Sequence, residues 1–439
     1  MKPFQIFAKK FSIESLRSLF DEKISETKAI GRDGIRTSQF ADHIENEVSL
    51  ISKNTKSGNY KFTRYKAKLI SKGPFKEPRM LSIPTVRDRL TLRALCEFMA
   101  EVYPEAITRK PHEYIKNIKE ELAGADLNAA FLRIDVRDYY PSVDRELLIK
   151  DIKKKIRKQE AISLIEKAIS TETFKAGEKG IPQGLSISNI LANIYLLEFD
   201  LSLKKYIKYY RYVDDILMIC GSTAHAQDVF KEVKWRLEHQ RHLLCHDLGD
   251  KSKSCISSVQ HGVDYLGFHV SKSKISVRQS SLRKMISSII SIFSKFKPIN
   301  NDTKLLWLLN LRITGCRFEE KNYGWMFFFL QTEDTSQLSR LDRLVRIQLN
   351  KNKKYKLIGK QKTFIKTFHE LRFKGIKSKY IPNFDEITFE DMVNIICTIT
   401  GIDKRKLEEK GEKFVRSEFK KIIKKEVSVL ERDIMESFS

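Results

Sequence analysis

Asp214 and Asp215 are neighbours in the chain and stand between two largely apolar runs, Tyr209-Tyr210-Arg211-Tyr212-Val213 and Ile216-Leu217-Met218-Ile219. That arrangement reads as a tight hairpin with the two aspartates at its tip. Like charges held side by side between apolar strands repel unless a cation neutralises them. A third acid, Asp135, ends the short strand-like run Phe131-Leu132-Arg133-Ile134-Asp135-Val136. Three carboxylates make an all-oxygen set of the kind that holds Mg²⁺ and leaves positions for phosphate oxygens. Two such ions, about 3.5–4 Å apart, can activate an attacking hydroxyl and stabilise a leaving phosphate. Taken alone, the Asp-Asp pair is equally an ordinary polar turn, because Asp is a favoured turn residue.

The flanking pattern supplies elements that would bring these acids together. Asp144 is placed to cap a helix carrying Leu147, Leu148 and Ile152. A second helix follows the turn at Gly184, with Ile187, Ile190, Leu191, Ile194 and Leu197 on one face. A third is expected over about 225–244. Strand, helix, hairpin, helix suits a ferredoxin-like split βαβ sheet with helices on one face, in an α+β fold. It would set Asp135 beside the hairpin tip. Around this centre the sequence divides into a helical basic arm (1–25), a mixed α/β region (26–270), a helical unit (271–355) with a break at 298–302, and a basic helical extension (356–439).

The chain of 439 residues carries 82 Lys and Arg against 56 acids, a formal charge of +26, which points to a polyanionic partner. A membrane surface would need an amphipathic anchor or lipidation signal, and Met1-Lys2-Pro3-Phe4 offers neither. The apolar patch Trp325–Leu330 is too short to span a bilayer. No signal peptide is expected, and the six cysteines form no Cys-x-x-Cys pair, which favours a reducing cytoplasm. Between Lys351 and Tyr380 eleven Lys or Arg face one acid, Glu370, interleaved with Tyr355, Phe364, Phe368, Phe373 and Tyr380. Phosphate contact and base stacking use those two residue types together. An amphipathic helix with aromatic core and wet lysines is the alternative.

Tyr212-Val213-Asp214-Asp215 resembles the Tyr-x-Asp-Asp box of reverse transcriptases, and the preceding segments match that family in order. Gly31-Arg32-Asp33-Gly34 is similar to a motif of bacterial and intron-encoded members. Lys72, Arg79 and the run 83–89 resemble their fingers, Ile134–Tyr140 the first aspartate box, and Gly180–Ser186 the Pro-Gln-Gly box. Lys251–Ser254 resembles the lysine box, and Tyr265-Leu266-Gly267-Phe268 the primer grip. The resemblance covers 31–270 and implies a right-hand polymerase, with fingers and palm followed by a helical thumb and a helical C-terminal extension.

The resemblance implies that Asp135, Asp214 and Asp215 are catalytic and, with Val136, hold two Mg²⁺ ions, with Mn²⁺ as a substitute. Lys72 and Arg79 would meet the triphosphate of a dNTP, and Gln183-Gly184 would approach nucleotide and template. Tyr140, five residues after Asp135, would exclude a ribose 2′-hydroxyl, unless a bulge gives that role to Tyr139. Lys253, rather than Lys251, is the favoured proton donor to pyrophosphate. Tyr212, Leu266 and Gly267 would touch nucleic acid, and Lys353, Lys354, Lys356 and Lys360 would hold RNA. Without a Val-Thr-Gly element at 266–268 and with no Cys/His endonuclease module following, the chain looks most like the antiphage reverse transcriptases, related to retron and group II intron enzymes. A structured noncoding RNA template and a DNA product are then the expected partners, with no membrane and a homo-oligomer left open. A template-independent or protein-primed polymerase, or a non-catalytic RNA-binding scaffold, are the rival readings.

Overall fold

The computed structural model describes residues 1–71, 78–172, 179–249, 253–296 and 301–438. The chain forms two compact units. The first comprises Met1–Arg109 with Asn128–Ser257, the second Lys110–Leu127 with Ser258–Ser439.

In the first unit, β1 (Lys66–Ile70) and β2 (Arg79–Ile83) form an antiparallel ribbon. The central sheet uses β3 (Ala130–Asp135), β4 (Lys208–Tyr212), β5 (Asp215–Cys220) and β6 (Cys255–Ser258), in the order β4-β5-β3-β6. This is the strand order of the expected split βαβ palm. Side-chain alternation along β3 sends Leu132 and Ile134 to the main core, while Phe131, Arg133 and Asp135 share the opposite face. The helix Thr223–Arg241, capped by the Ser222 hydroxyl, packs on β3 and β5. Asp144 accepts from the Leu147 amide at 3.1 Å, as a cap should.

The first 25 residues are helical, over Pro3–Lys10 and Ile13–Leu19, but they are no separate arm. Phe7 and Phe11 are fully buried, and the Phe7 ring meets Phe98 of the helix Val86–Val102 at 5.3 Å, edge on. Burying those rings joins the segment to the main core.

The second unit begins with a three-stranded sheet of β7 (Val263–Tyr265), β8 (Phe268–Val270) and β9 (Ile275–Val277), order β7-β8-β9. A short ribbon of β10 (Cys316–Phe318) and β11 (Lys321–Tyr323) follows. The boundary therefore falls at 257/258 rather than at 270, and the helix Pro111–Ala123 joins this unit. Nor are 271–355 and 356–439 separate. Leu311, Cys316 and Phe318 share one core with Phe384, Val393, Ile396, Val415 and Phe419, and the helix Gln279–Phe296 packs against Glu412–Phe438. Contacts remote in sequence, which local periodicity does not report, make a single core of the two stretches. Among the described residues no helix is long and apolar enough to cross a membrane.

Candidate active site

The β3–β5 register places Asp135 directly opposite Asp215. Asp135 is held through its backbone on both sides. Its amide donates to the Ser254 hydroxyl at 3.2 Å and its carbonyl accepts from the His246 amide at 3.0 Å. The Val136 amide donates to the Asp214 carbonyl at 3.0 Å, which ties the end of β3 to the neighbouring turn.

The turn itself is one residue earlier than the sequence suggests. Tyr212 pairs with Asp215 in the ladder, so the two turn residues are Val213 and Asp214, and Asp215 opens β5. Val213 has φ +58°, in the left-handed region that a β-branched residue disfavours.

The three carboxylates differ in their surroundings. Asp135 is buried, with Oδ1 at 3.1 Å from Lys253 Nζ and 3.3 Å from His246 Nε2. Asp215 accepts from Arg133 Nε at 2.8 Å and Nη2 at 2.9 Å, a two-pronged ion pair. Burial, with Asp135 and then Asp215 nearby, pushes the Asp214 carboxyl up to about 6, against the opposing pull of Lys253. Among the described residues no three His, Cys, Asp or Glu side chains converge as a ready metal cage. Asp135 and Asp214 nonetheless fit a divalent cation: they are hard oxygen donors in a setting where negative charge is under-compensated. Asp215 is the expected ligand whose oxygens are already engaged.

Of the two tyrosines that follow Asp135, Tyr140 is the one near Asp214. Tyr139 is buried and its hydroxyl donates to the Ala192 carbonyl at 2.5 Å, whereas Tyr140 is only partly buried. Burial, then the negative charge of Asp214, pushes the Tyr140 phenol up to about 12, with Arg79 opposing. The Tyr140 carbonyl accepts from the Ile181 amide at 2.9 Å, and the Gln183 carbonyl accepts from the Ser82 amide of β2 at 2.7 Å. The Gly180–Ser186 loop thus links the Tyr140 segment to the β1–β2 ribbon. Gly184 has φ +97°, and a Cβ there would lie 3.1 Å from the Ser82 carbonyl oxygen, so both conformation and space call for glycine. Arg79 is exposed at the start of β2, opposite Ile70. Lys72 lies outside the described residues, as does Lys251.

In the second unit, Leu266 (φ +48°) and Gly267 (φ +86°) are the two central residues of the β7–β8 hairpin. Lys353, Lys356 and Lys360 are exposed after the helix Thr335–Lys351, in turn and 3-10 backbone, while Lys354 pairs with Asp302 at 2.7 Å. Of the interleaved aromatics, Phe364 and Phe368 are core, whereas Tyr355 and Phe373 are exposed.

Sequence reading passed over Arg133, His246 and Ser254. Arg133 was findable, since a strand places residues two apart on one face. His246 and Ser254 come from the 242–254 stretch, where no periodicity marks a partner.

Residues 70–270 match the family described as reverse transcriptase (RNA-dependent DNA polymerase). This region is a reverse transcriptase domain. The match spans β2, the acids, the Gly180–Ser186 loop and Leu266-Gly267. Among relatives, protein YkfC of Escherichia coli is 25% identical over 356 residues, 69% of this chain and 89% of that protein. The group II intron-encoded protein LtrA of Lactococcus lactis is 29% identical over 199 residues, 42% of this chain but only 32% of LtrA. Among solved structures, telomerase from Candida albicans in complex with a fragment of telomeric RNA is similar at a TM-score of 0.43 and 14% identity, covering 73% of this chain and 60% of that one. The domain is thus related to that of group II intron enzymes, and its activity class is RNA-directed DNA synthesis.

Proposed function

We propose that the chain adds deoxynucleotides on a structured noncoding RNA template by two-metal catalysis, in the setting of antiviral defence. The observation that carries the catalytic part is the pairing of β3 with β5, which brings Asp135 and the Val213-Asp214 turn together. Asp135 and Asp214 would hold the ions with the Val136 carbonyl, and Asp215 would join once released by Arg133. Bound there, Mg²⁺, or Mn²⁺ in its place, stabilises charge on the attacking and leaving oxygens.

The remaining roles fall to the protein. Arg79, and Lys72 with it, would orient the triphosphate, and Tyr140 would press against the sugar where a 2′-hydroxyl projects. Gln183 and Gly184 would flank the nucleotide and the template base. Lys253, already near Asp135, would deliver a proton to departing pyrophosphate. Tyr212, Leu266 and Gly267 would contact primer and template, and Lys353, Lys356 and Lys360 the RNA. A cytoplasmic protein of charge +26 suits such a partner.

Sequencing the RNA and DNA that copurify with the protein tests this. One dominant structured RNA, with DNA complementary to part of it, is expected. DNA unrelated to any bound RNA would favour untemplated synthesis.

A further inference from the structure

We propose that Arg211 is the positioning residue of the catalytic turn: with Asp200 and Asn193 it holds Val213 in a conformation that its side chain disfavours, and so fixes the direction of Asp214. The inference rests on the reading of Asp214 as a catalytic carboxylate.

A β-branched residue disfavours φ +58° and persists there only where its surroundings over-determine it. Two bonds do so here. The Val136 amide donates to the Asp214 carbonyl, and Arg211 Nη1 donates to the Val213 carbonyl at 3.0 Å. The second arrives from a fixed support. The Arg211 side chain is 5% exposed, and its Nε donates to both Asp200 oxygens at 2.9 and 3.0 Å. Nη2 meets Asp200 Oδ2 at 2.5 Å, and Nη1 also reaches Asn193 Oδ1 at 3.1 Å.

The supports are themselves held. Asp200 accepts from the Tyr209 hydroxyl at 2.7 Å, while Asn193 Nδ2 donates to the Ala106 carbonyl at 2.9 Å and to Thr108 Oγ1 at 2.7 Å. A guanidinium can do this because it is a rigid plane with five donors: one edge takes the carboxylate while the other takes Asn193 and the turn. An ammonium has neither the reach nor the second edge. A buried ion pair by itself is weak evidence of stabilisation. What distinguishes this one is that its free edge ends on the carbonyl of the strained residue beside the catalytic acid.

A double-mutant cycle in the full chain tests the proposal, with Arg211→Lys, Val213→Gly and the pair. The readouts are extension of a DNA primer on a defined RNA template and amide exchange across 208–220. Arg211→Lys should lower kcat by about tenfold or more, as small misplacements of reacting groups do. KM for the deoxynucleotide should stay within about twofold, because ground-state binding is untouched. Glycine adopts positive φ without strain, so the loss of kcat and the faster exchange caused by Arg211→Lys should both shrink at least about threefold in the Val213→Gly background. Equal losses in both backgrounds, or a loss matching the fall in folded fraction, would overturn the proposal. If Arg211→Lys does not fold, Asn193→Ala removes one support and leaves the Asp200 pair; it should lower kcat in the same direction, and an unchanged kcat would count against the bracket. Full activity of Asp214→Asn would instead sink the reading on which the inference rests.

Discussion

Asp135 and Asp215 face each other across the β3–β5 pair, yet the Asp215 carboxylate is turned to Arg133, two residues before Asp135 on the same strand. The Arg133 side chain is 19% exposed and that of Asp215 17%. Removing one partner of so enclosed a pair leaves a poorly solvated charge. Arg133→Gln should therefore lower the melting temperature without Mg²⁺, by an amount corresponding to about 2–3 kcal/mol. Mg²⁺ should restore part of it, since Asp215 then joins the acids awaiting a cation. Melting curves across a Mg²⁺ series measure both. A variant as stable as the parent, with no added Mg²⁺ response, would show that Arg133 does not hold Asp215 in reserve.

The two tyrosines after Asp135 should separate cleanly. Tyr139→Ala removes a buried ring and its bond to the Ala192 carbonyl, and should destabilise by about 3 kcal/mol with little change in sugar preference. Tyr140→Ala should admit ribonucleotides while weakening deoxynucleotide addition less. Single-nucleotide incorporation with each substrate decides, and an unchanged preference in Tyr140→Ala would point to another wall.

Gly184→Ala should disturb the β1–β2 ribbon. Its Cβ would crowd the Ser82 carbonyl, and φ +97° strains any side chain. The expected result is a KM for deoxynucleotide raised several-fold together with a lowered melting temperature, because Ser82 on β2 is buried and the strained backbone has no slack there. A change in kcat alone would place the effect elsewhere.

Replacing Lys353, Lys354, Lys356 and Lys360 together by Gln should lower RNA affinity and flatten its salt dependence by about 0.7 in log-log slope for each phosphate no longer neutralised. Lys354 should contribute least, because Asp302 already holds it. Binding across a salt series checks this, and an unchanged slope would make the segment an ordinary solvated surface.

How much of this could be read in advance follows from what local pattern encodes. The apolar runs around Asp214-Asp215 and before Asp135 announced the palm strands, because a buried strand is written in consecutive residues. The turn was misplaced by one residue because Asp is a favoured turn residue and Val is not; the ladder pairing of Tyr212 with Asp215 overrides that preference. Lys2, Lys9, Lys10 and Lys23 made 1–25 look like a wet arm, though Ile6, Phe7, Phe11 and Leu16 are buried against helices far along the chain. The single core joining Leu311 to Phe384–Leu430 was likewise invisible, since nothing local links those segments.

The central claim is that Asp135 and Asp214 carry RNA-directed DNA synthesis, and Asp214→Asn tests it most directly. Asparagine keeps the size of the side chain and removes the charge that Asp135 and Asp215 repel. Primer extension on an RNA template should fall by about a thousandfold or more, as expected when several kcal/mol of transition-state stabilisation are lost. The folded protein should melt no lower than the parent and should retain its RNA. Extension at a rate near that of the parent, by a variant melting at the same temperature, would contradict the account.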